Sequence, residues 1–397
     1  MVFQWLVTVM FLWFSQVSLA ATYHVNTFPE LRDTLSSRHL TPGDIILVAD
    51  GTYTISGQFA LPVNVDAVTV RGASLNPDAV IIRGQGMTGG VSHVFFIAAH
   101  HVTIEYLTVQ DVANHGIQTD VNIDGLHVNH CIFRDTYEQL FKVPKSASVQ
   151  DPSENGVVEN CIFEYTAGVA PNWYTGGIDV HYGKDWVIKN NLFRDIQSPG
   201  SHIAEHAVHF WSDSSGTRVE KNLIVNCDRG IGFGLGASPH TGGIIRNNMI
   251  SHDGSGAFAD VGIGIESSSD TQIYNNTVFM NHNRYSNAIE YRFSGTVNAY
   301  IANNLTNKQI VSRNSGRGLV EFNVTNARAT WFVDVGSGDL HLAERVTQVA
   351  NQGTAINGLV DDFDSQRRPA RGGFDIGADE IGGAVVAMPV QLLLIPE

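Results

Sequence analysis

The sequence predicts a right-handed parallel β-helix, an all-β solenoid of roughly ten turns, from two observations. The first is a repeat with an asparagine or cysteine at intervals of 26 to 31 residues, at Cys131, Cys161, Asn191, Asn222, Asn248, Asn276 and Asn304. The second is that period-two strands flank these positions, as in VEKNLI and IRNNMI, with no long amphipathic helix between them. Strands that stack on equivalent strands of neighbouring turns form parallel sheets. A β-sandwich, the alternative, would need no fixed register.

The residues at the repeat position are expected to lie inside one corner of the solenoid, where asparagine side chains can form a hydrogen-bonded ladder. Cys131 and Cys161 occupy this position on adjacent turns, so we expect them about one strand spacing apart. A pair of buried thiols is favoured over a disulfide, for which in-register parallel neighbours have poor geometry. Cys227 has no evident partner, and three cysteines cannot build a disulfide framework.

The two ends of the chain differ from the repeat. Residues 1–20 read as a secretory signal peptide, with an apolar run from Trp5 to Phe14 and a small-x-small site ending at Ala20. The run is too short for a membrane span, so we expect a secreted or periplasmic protein without a transmembrane anchor. The remaining segments are an N-terminal cap with a short helix and the first turns (21–60), the β-helix (61–320), a closing module that caps the open end (321–383) and an unassigned apolar tail (384–397).

The formal net charge of −15 argues against nucleic acid as a partner. An acidic polymer would have to be held by basic residues concentrated in one place. We expect the solenoid to form one domain at this length, because a solenoid grows by adding turns. We also expect the protein to be a monomer.

The strand after each corner alternates apolar, polar, apolar, so its middle residue should point away from the core. Reading across turns gives the first outward column: Gln118, Lys142, Asp179, His209, Gly232, Gly264 and Glu290. Two residues further on lies the second outward column: Asp120, Pro144, His181, Trp211, Gly234, Glu266 and Arg292. Cations, imidazoles and carboxylates converge here around glycines, which often mark close approach of a ligand. The columns therefore predict a functional groove, in which Trp211 could stack on a sugar ring.

The segments GDIILVADGTYT and VTVRGASLNPDAVII resemble the first turns of the pectin-lyase-like right-handed β-helix superfamily. The similarity is nearest to secreted bacterial polysaccharide lyases that act on alginate, chondroitin and related uronate polymers. In such lyases a Lys and Arg pair on the outward face removes and returns protons, and Lys142 matches the Lys by its column. Arg292 does not match the Arg, because it should lie on the order of 20 to 25 Å along the axis from Lys142.

The resemblance implies β-elimination, in which a uronate carboxylate is neutralised, the C5 proton is removed and the glycosidic oxygen leaves. Lys142 and His209 are the candidate bases, and His181 is the second base or proton donor. Arg229, Arg292 or a bound Ca²⁺ could neutralise the carboxylate, although Arg229 could equally pair with Asp228 or another carboxylate. The other groove residues would bind substrate: Gln118, Asp179, Tyr182, Trp211, Glu266, Glu290 and Arg292.

Two other functions remain open from the sequence. A glycoside hydrolase on the same fold would use Asp179, Glu266 and Glu290, and a noncatalytic cell-surface protein could bind glycan through the same groove. Glu205 and His206 read as corner or loop residues beside the His209 strand. In the closing module, Asp361, Asp362 and Asp364 could bind Ca²⁺, but a solvated acidic loop is favoured.

Overall fold

The computed structural model describes residues 20–370 and 372–382. The predicted signal peptide, apart from Ala20, and the apolar tail lie outside the described residues. Within those residues, no helix is both long enough and apolar enough to cross a membrane.

The described chain is a right-handed parallel β-helix, as the sequence predicts, and it contains three long sheets. Sheet 1 has 12 strands: Thr22–Val25, Ile45–Val48, Thr69–Gly72, Thr103–Glu105, His127–Asn129, Val157–Glu159, Val187–Lys189, Arg218–Glu220, Ile244–Arg246, Gln272–Tyr274, Ala299–Ala302 and Gly318–Glu321. Sheet 2 has 10 strands: Gly51–Thr54, Val80–Arg83, Thr108–Val112, Ile132–Thr136, Ile162–Glu164, Leu192–Arg194, Leu223–Val225, Met249–His252, Thr277–Met280 and Leu305–Thr306. Sheet 3 has 10 strands: Leu61–Val63, His93–Ile97, His115–Thr119, Phe141–Val143, Ile178–His181, His206–Trp211, Arg229–Phe233, Ile263–Glu266, Asn287–Arg292 and Gln309–Arg313.

Smaller elements complete the architecture. Sheet 4 joins five two-residue strands between sheets 3 and 1: Ser153–Glu154, Gly183–Lys184, Ser214–Ser215, His240–Thr241 and Ser268–Ser269. The remaining elements are the α-helix Phe28–Leu35, the 3-10 turns Pro77–Ala79 and Ala329–Trp331, and the antiparallel strands Phe332–Asp334 and Asp339–Leu342.

The core runs along the solenoid axis, and the side chains at equivalent positions of successive turns stack on one another within it. Phe133, Phe163 and Phe193 on sheet 2 stack face to face with ring centroids 4.7 and 4.8 Å apart. Each of these strands also carries an apolar residue on the outer face, so sheet 2 is buried on both sides. Such sheets need a second layer outside the solenoid.

The predicted ladder forms at the corner between sheets 1 and 2. Each asparagine side chain donates to the next asparagine Oδ1, at 3.0 Å from Asn191 to Asn222 and from Asn222 to Asn248, and the ladder continues to Asn323. Cys131 and Cys161 are buried free thiols at the start of this row, and the Cys131 amide donates to the Cys161 sulfur at 3.3 Å. Cys227 is also buried and free. The favoured prediction of unpaired thiols is therefore confirmed.

The described part of the C-terminal segment packs along the side of the solenoid. There Trp331, Phe332 and Leu340 join the outward apolar row of sheet 2 in one buried cluster. The capping role expected for this segment stays a prediction. The last strand of sheet 1 keeps Leu319 55% exposed within the described structure. The closing segment is therefore the outer layer that sheet 2 requires.

Candidate functional site

The outward columns lie on sheet 3 in the register that the sequence predicts. Consecutive strands pair Gln118 with Lys142, Lys142 with Asp179, Asp179 with His209, His209 with Gly232, Gly232 with Gly264, and Gly264 with Glu290. In the second column, His181 pairs with Trp211 and Glu266 with Arg292. The intervening residues, such as Ile178 and Val180, are in the core, so the columns face away from it.

Lys142, Asp179 and His181 form a compact polar cluster at the centre of this face. The Lys142 ammonium contacts the Asp179 carboxylate and lies 2.9 Å from His181 Nε2. Trp211 Nε1 donates to the other oxygen of Asp179 at 2.8 Å. Lys142 and His181 keep 12% and 20% of their side-chain surface exposed, whereas Asp179 keeps 6%. A ligand on the groove can therefore reach the ammonium and the imidazole, while the carboxylate holds them in place.

Asp179 is an ionised carboxylate in a buried position. Burial alone would raise its pKa, but the hydrogen bond to His181 and the charges of Lys142, His181 and His209 outweigh burial and hold the pKa well below its usual range. The Asp179 carboxylate therefore carries a negative charge that orients the ammonium and both imidazoles.

His209 lies beneath the groove surface. Its ring is parallel to that of Trp211 with centroids 5.3 Å apart, and its side chain keeps 1% of its surface exposed. Its Nε2 lies 3.3 Å from the carbonyl oxygen of Gly234. Burial lowers the pKa of His209, so the imidazole is neutral. In this arrangement His209 supports Trp211 and faces Asp179 without direct access from the groove.

His206 differs from the corner or loop prediction, whereas Glu205 does lie in the loop before the strand. His206 is the first residue of the sheet 3 strand and is 8% exposed, with its ring 4.4 Å from that of His209. Glu205 precedes the strand, and its carboxylate lies 3.8 Å from both His209 Nδ1 and Arg229. Arg229 also faces Asp260 at 3.5 Å, so its partners are these two carboxylates. The His206 ring fits here because residue 232 is a glycine; a Cβ at that position would lie 2.7 Å from His206 Nε2.

The glycine-lined part of the face forms a second group, further along the axis. A cavity of about 60 Å³ is lined by Arg229, Gly264, Glu266, Glu290 and Arg292, together with His206, Gly234, Leu235, Asp260 and Val261. Arg292 donates to Glu266 at 2.6 Å and lies 3.8 Å from Glu290. Burial raises the pKa of Asp260. Arg292 lies five strands from Lys142, on the order of 24 Å, so the structure keeps these two predicted residues apart.

Three residues border the Lys142 cluster. Gln118 lies one strand before Lys142 and in register with it. Tyr182 follows His181 and donates to the Gln150 carbonyl at 2.6 Å. Lys145 was missed by sequence reasoning; its ammonium pairs with Asp213 and lies 4.8 Å from the Tyr182 ring. The sequence signals Lys145 only by its position just beyond the Lys142 strand, and its place beside Tyr182 results from loop packing.

Two clusters have a donor set suited to a metal ion. Glu205, His206 and His209 offer one carboxylate and two imidazoles within 4.8 Å of one another. Imidazole ligands suit transition metals, so this set does not fit the Ca²⁺ considered from the sequence. The second cluster is Asp362, Asp364 and Asp379 in the closing segment, away from sheet 3.

The acidic residues of the closing segment are not a solvated loop, and that expectation is wrong. Asp362 is fully buried and accepts from the Gln366 and Glu380 amides. Asp364 lies 2.9 Å from His341, and Asp361 pairs with Lys221 at 2.7 Å. Asp361 thus joins the segment to the solenoid, whereas Asp362 and Asp364 bind partners within the segment.

Comparison with known proteins agrees with this fold. Residues 151–330 match the family described as right handed beta helix region. An alginate lyase from Paenibacillus sp. str. FPU-7 superimposes with a TM-score of 0.51 at 19% identity, over 77% of this chain and 95% of that chain. The pectate lyase Pel9A superimposes with a TM-score of 0.53 at 14% identity, over 92% of this chain and 98% of that chain. No curated protein sequence matches the chain. These comparisons establish the fold, a right-handed parallel β-helix, and identities this low leave the reaction open.

Proposed function

We propose that the protein is a secreted polysaccharide lyase that cleaves an alginate-like uronate polymer by β-elimination. The observation that carries the proposal is the Lys142 ammonium held between Asp179 and His181 on the outward face of sheet 3. Two of the solved structures that superimpose on the chain are, by name, an alginate lyase and a pectate lyase, which supports an acidic polysaccharide as the substrate class.

The proton transfers are assigned to Lys142 and His181. The two side chains share a hydrogen bond of 2.9 Å, so a proton can pass between them. The neutral member takes the C5 proton, and the protonated member delivers a proton to the leaving glycosidic oxygen. The Asp179 carboxylate contacts the Lys142 ammonium and lies 3.5 Å from His181 Nε2, so it fixes the orientation of both side chains. His209 was the other candidate base, but its buried ring is better suited to supporting Trp211 and Asp179.

Neutralisation of the substrate carboxylate is assigned to Lys145. Arg229 lies three strands from Lys142, on the order of 14 Å, which is too far to act on the same sugar ring. Lys145 follows the Lys142 strand in the chain and contacts Asp213 and Tyr182, the residue after His181. A cation about 4 Å from the developing enolate is worth roughly 4 kcal/mol at an effective dielectric of 20.

The test measures the ultraviolet absorbance of unsaturated uronate ends released from alginate, polygalacturonate, hyaluronan, chondroitin and heparin-type polymers. We expect Lys142→Gln, which keeps a donor for Asp179, to lower kcat/KM by roughly 10² to 10⁴. Lys184→Gln is the matched control, because Lys184 is an exposed lysine paired with Glu154 on sheet 4. The proposal fails if no polymer yields unsaturated ends, or if both variants retain equal activity.

A glycoside hydrolase is the second candidate, on the observation that Glu266 and Glu290 both contact Arg292. The two carboxyl groups of a glycoside hydrolase lie roughly 5 to 9.5 Å apart, a distance that carboxylates on adjacent strands can span. Asp179 and Glu290 are four strands apart, on the order of 19 Å, and are too distant to form such a pair. New reducing ends without unsaturation, lost in Glu290→Gln, would favour this function over the lyase.

A further inference from the structure

The cluster of Glu205, His206 and His209 has the dimensions of a metal site. One potential ligand atom of each residue lies within 4.8 Å of the other two. His209 Nδ1 and the Glu205 carboxylate are 3.8 Å apart, whereas two ligands of a tetrahedral ion with bonds of about 2.05 Å are separated by roughly 3.3 Å. An ion between them therefore requires only a small inward movement of side chains.

Each of the two imidazoles has a ring nitrogen without a hydrogen-bond partner. Nδ1 of His206 and Nδ1 of His209 are both buried and have no hydrogen-bond partner. In His209, Nε2 faces the Gly234 carbonyl, which can only accept, so the neutral ring carries its proton on Nε2 and a lone pair on Nδ1. That lone pair faces Glu205 at 3.8 Å and Asp179 at 3.9 Å. Electron pairs that converge without a proton between them are stabilised by a cation.

We propose that Glu205, His206 and His209 bind a divalent first-row transition metal ion of the Zn²⁺ class. One carboxylate and two neutral imidazoles are ligands that these ions prefer, whereas Ca²⁺ prefers oxygen alone. His209 closes the site from beneath Trp211. His206 also lines the adjoining cavity of about 60 Å³, so a water or a carboxylate oxygen can take the remaining position from that side.

The surroundings hold the ligands in place. Gly232 leaves room for the His206 ring, because a Cβ there would lie 2.7 Å from Nε2. A Cβ at Gly176 would lie 3.1 Å from that of Glu205. The Gly234 carbonyl fixes the His209 tautomer, as the outer partners of metal-bound histidines do.

The test is calorimetric titration of ZnCl₂ into the chelator-stripped full-length protein, without polysaccharide. We expect one ion per chain, with affinity at least about tenfold weaker in His206→Gln, His209→Gln and Glu205→Gln. Because Glu205 is partly exposed and precedes the strand, Glu205→Gln separates loss of a ligand from loss of folding. The matched control is His252→Gln, which removes a buried imidazole with an unpartnered Nε2 on sheet 2 and should retain wild-type affinity.

A cobalt titration gives a second readout, since Co²⁺ bound by two imidazoles and carboxylate oxygen acquires visible absorption bands. The inference is overturned if the wild-type protein binds no Zn²⁺ in the micromolar range. It is also overturned if Glu205→Gln binds as tightly as His252→Gln, or if Ca²⁺ competes equally with Zn²⁺. Since binding is measured without substrate, failure of the lyase assay leaves this result unaffected.

Discussion

The asparagine ladder provides the sharpest test of what holds the solenoid together, through the substitution Asn248→Ala. Asn248 is fully buried, and its Nδ2 donates to the Val219 and Arg246 carbonyls and to Asn276 Oδ1 at 2.9 to 3.0 Å. Its Oδ1 accepts from the amide and the side chain of Asn222 at 3.0 Å. Five hydrogen bonds are lost at about 1 kcal/mol each, so we expect the free energy of unfolding to fall by roughly 3 to 5 kcal/mol.

Equilibrium denaturation by urea, followed by circular dichroism, measures this loss. Asn283→Ala is the matched control, because Asn283 is exposed and the same truncation there should change stability by less than about 0.5 kcal/mol. A loss below about 1 kcal/mol in Asn248→Ala would refute the reasoning, since the orphaned Asn222 amide alone is expected to cost 1 to 3 kcal/mol.

Three further substitutions test other parts of the structure. Gly230→Ala places a Cβ 2.1 Å from the Gly262 carbonyl oxygen, so the free energy of unfolding should fall by about 2 to 4 kcal/mol. Thermal melting measures this loss, and an unchanged melting temperature would contradict that contact. Burial alone would lower the pKa of His341, but hydrogen bonds to two aspartates raise it to about 10. The stabilisation that His341 provides is therefore complete below pH 6.5 and lost as pH rises through 10. Over this window the free energy of unfolding of the wild type should fall by a few kcal/mol more than that of His341→Gln. Parallel pH profiles of the two proteins would exclude this role. Arg368→Met leaves buried Glu380 without its cation, so the free energy of unfolding measured by denaturation should fall by about 3 to 5 kcal/mol. Near-wild-type stability would mean that the ion pair is dispensable.

Much of the fold was predictable because a solenoid repeats its physical constraints. The regular recurrence of Asn or Cys indicated a corner ladder, and the alternation in strands such as Ile178–His181 indicated which side chains face outward. Since a parallel register is set by burial of the apolar members, pairings such as Lys142 with Asp179 and His181 with Trp211 followed from alignment alone.

The candidate site was less predictable where loops contribute. Lys145 lies beside Tyr182 because the loop after the Lys142 strand folds back, and its sequence neighbours carry no repeat that would reveal this. His206 was read as a corner residue because the alternating pattern begins only at Val208. Its burial depends on the space above Gly232, which is visible only when the strands are stacked.

The sequence by itself therefore determined the right-handed β-helix, the register of its sheets and the outward columns, because each follows from side-chain alternation repeated turn after turn. Only the tertiary structure decided which outward residues remain accessible, that Glu205, His206 and His209 converge beneath Trp211, and that the closing segment covers sheet 2. The physical reason is that strands of equal pattern can align only one way, whereas loops of unequal length take positions set by long-range packing.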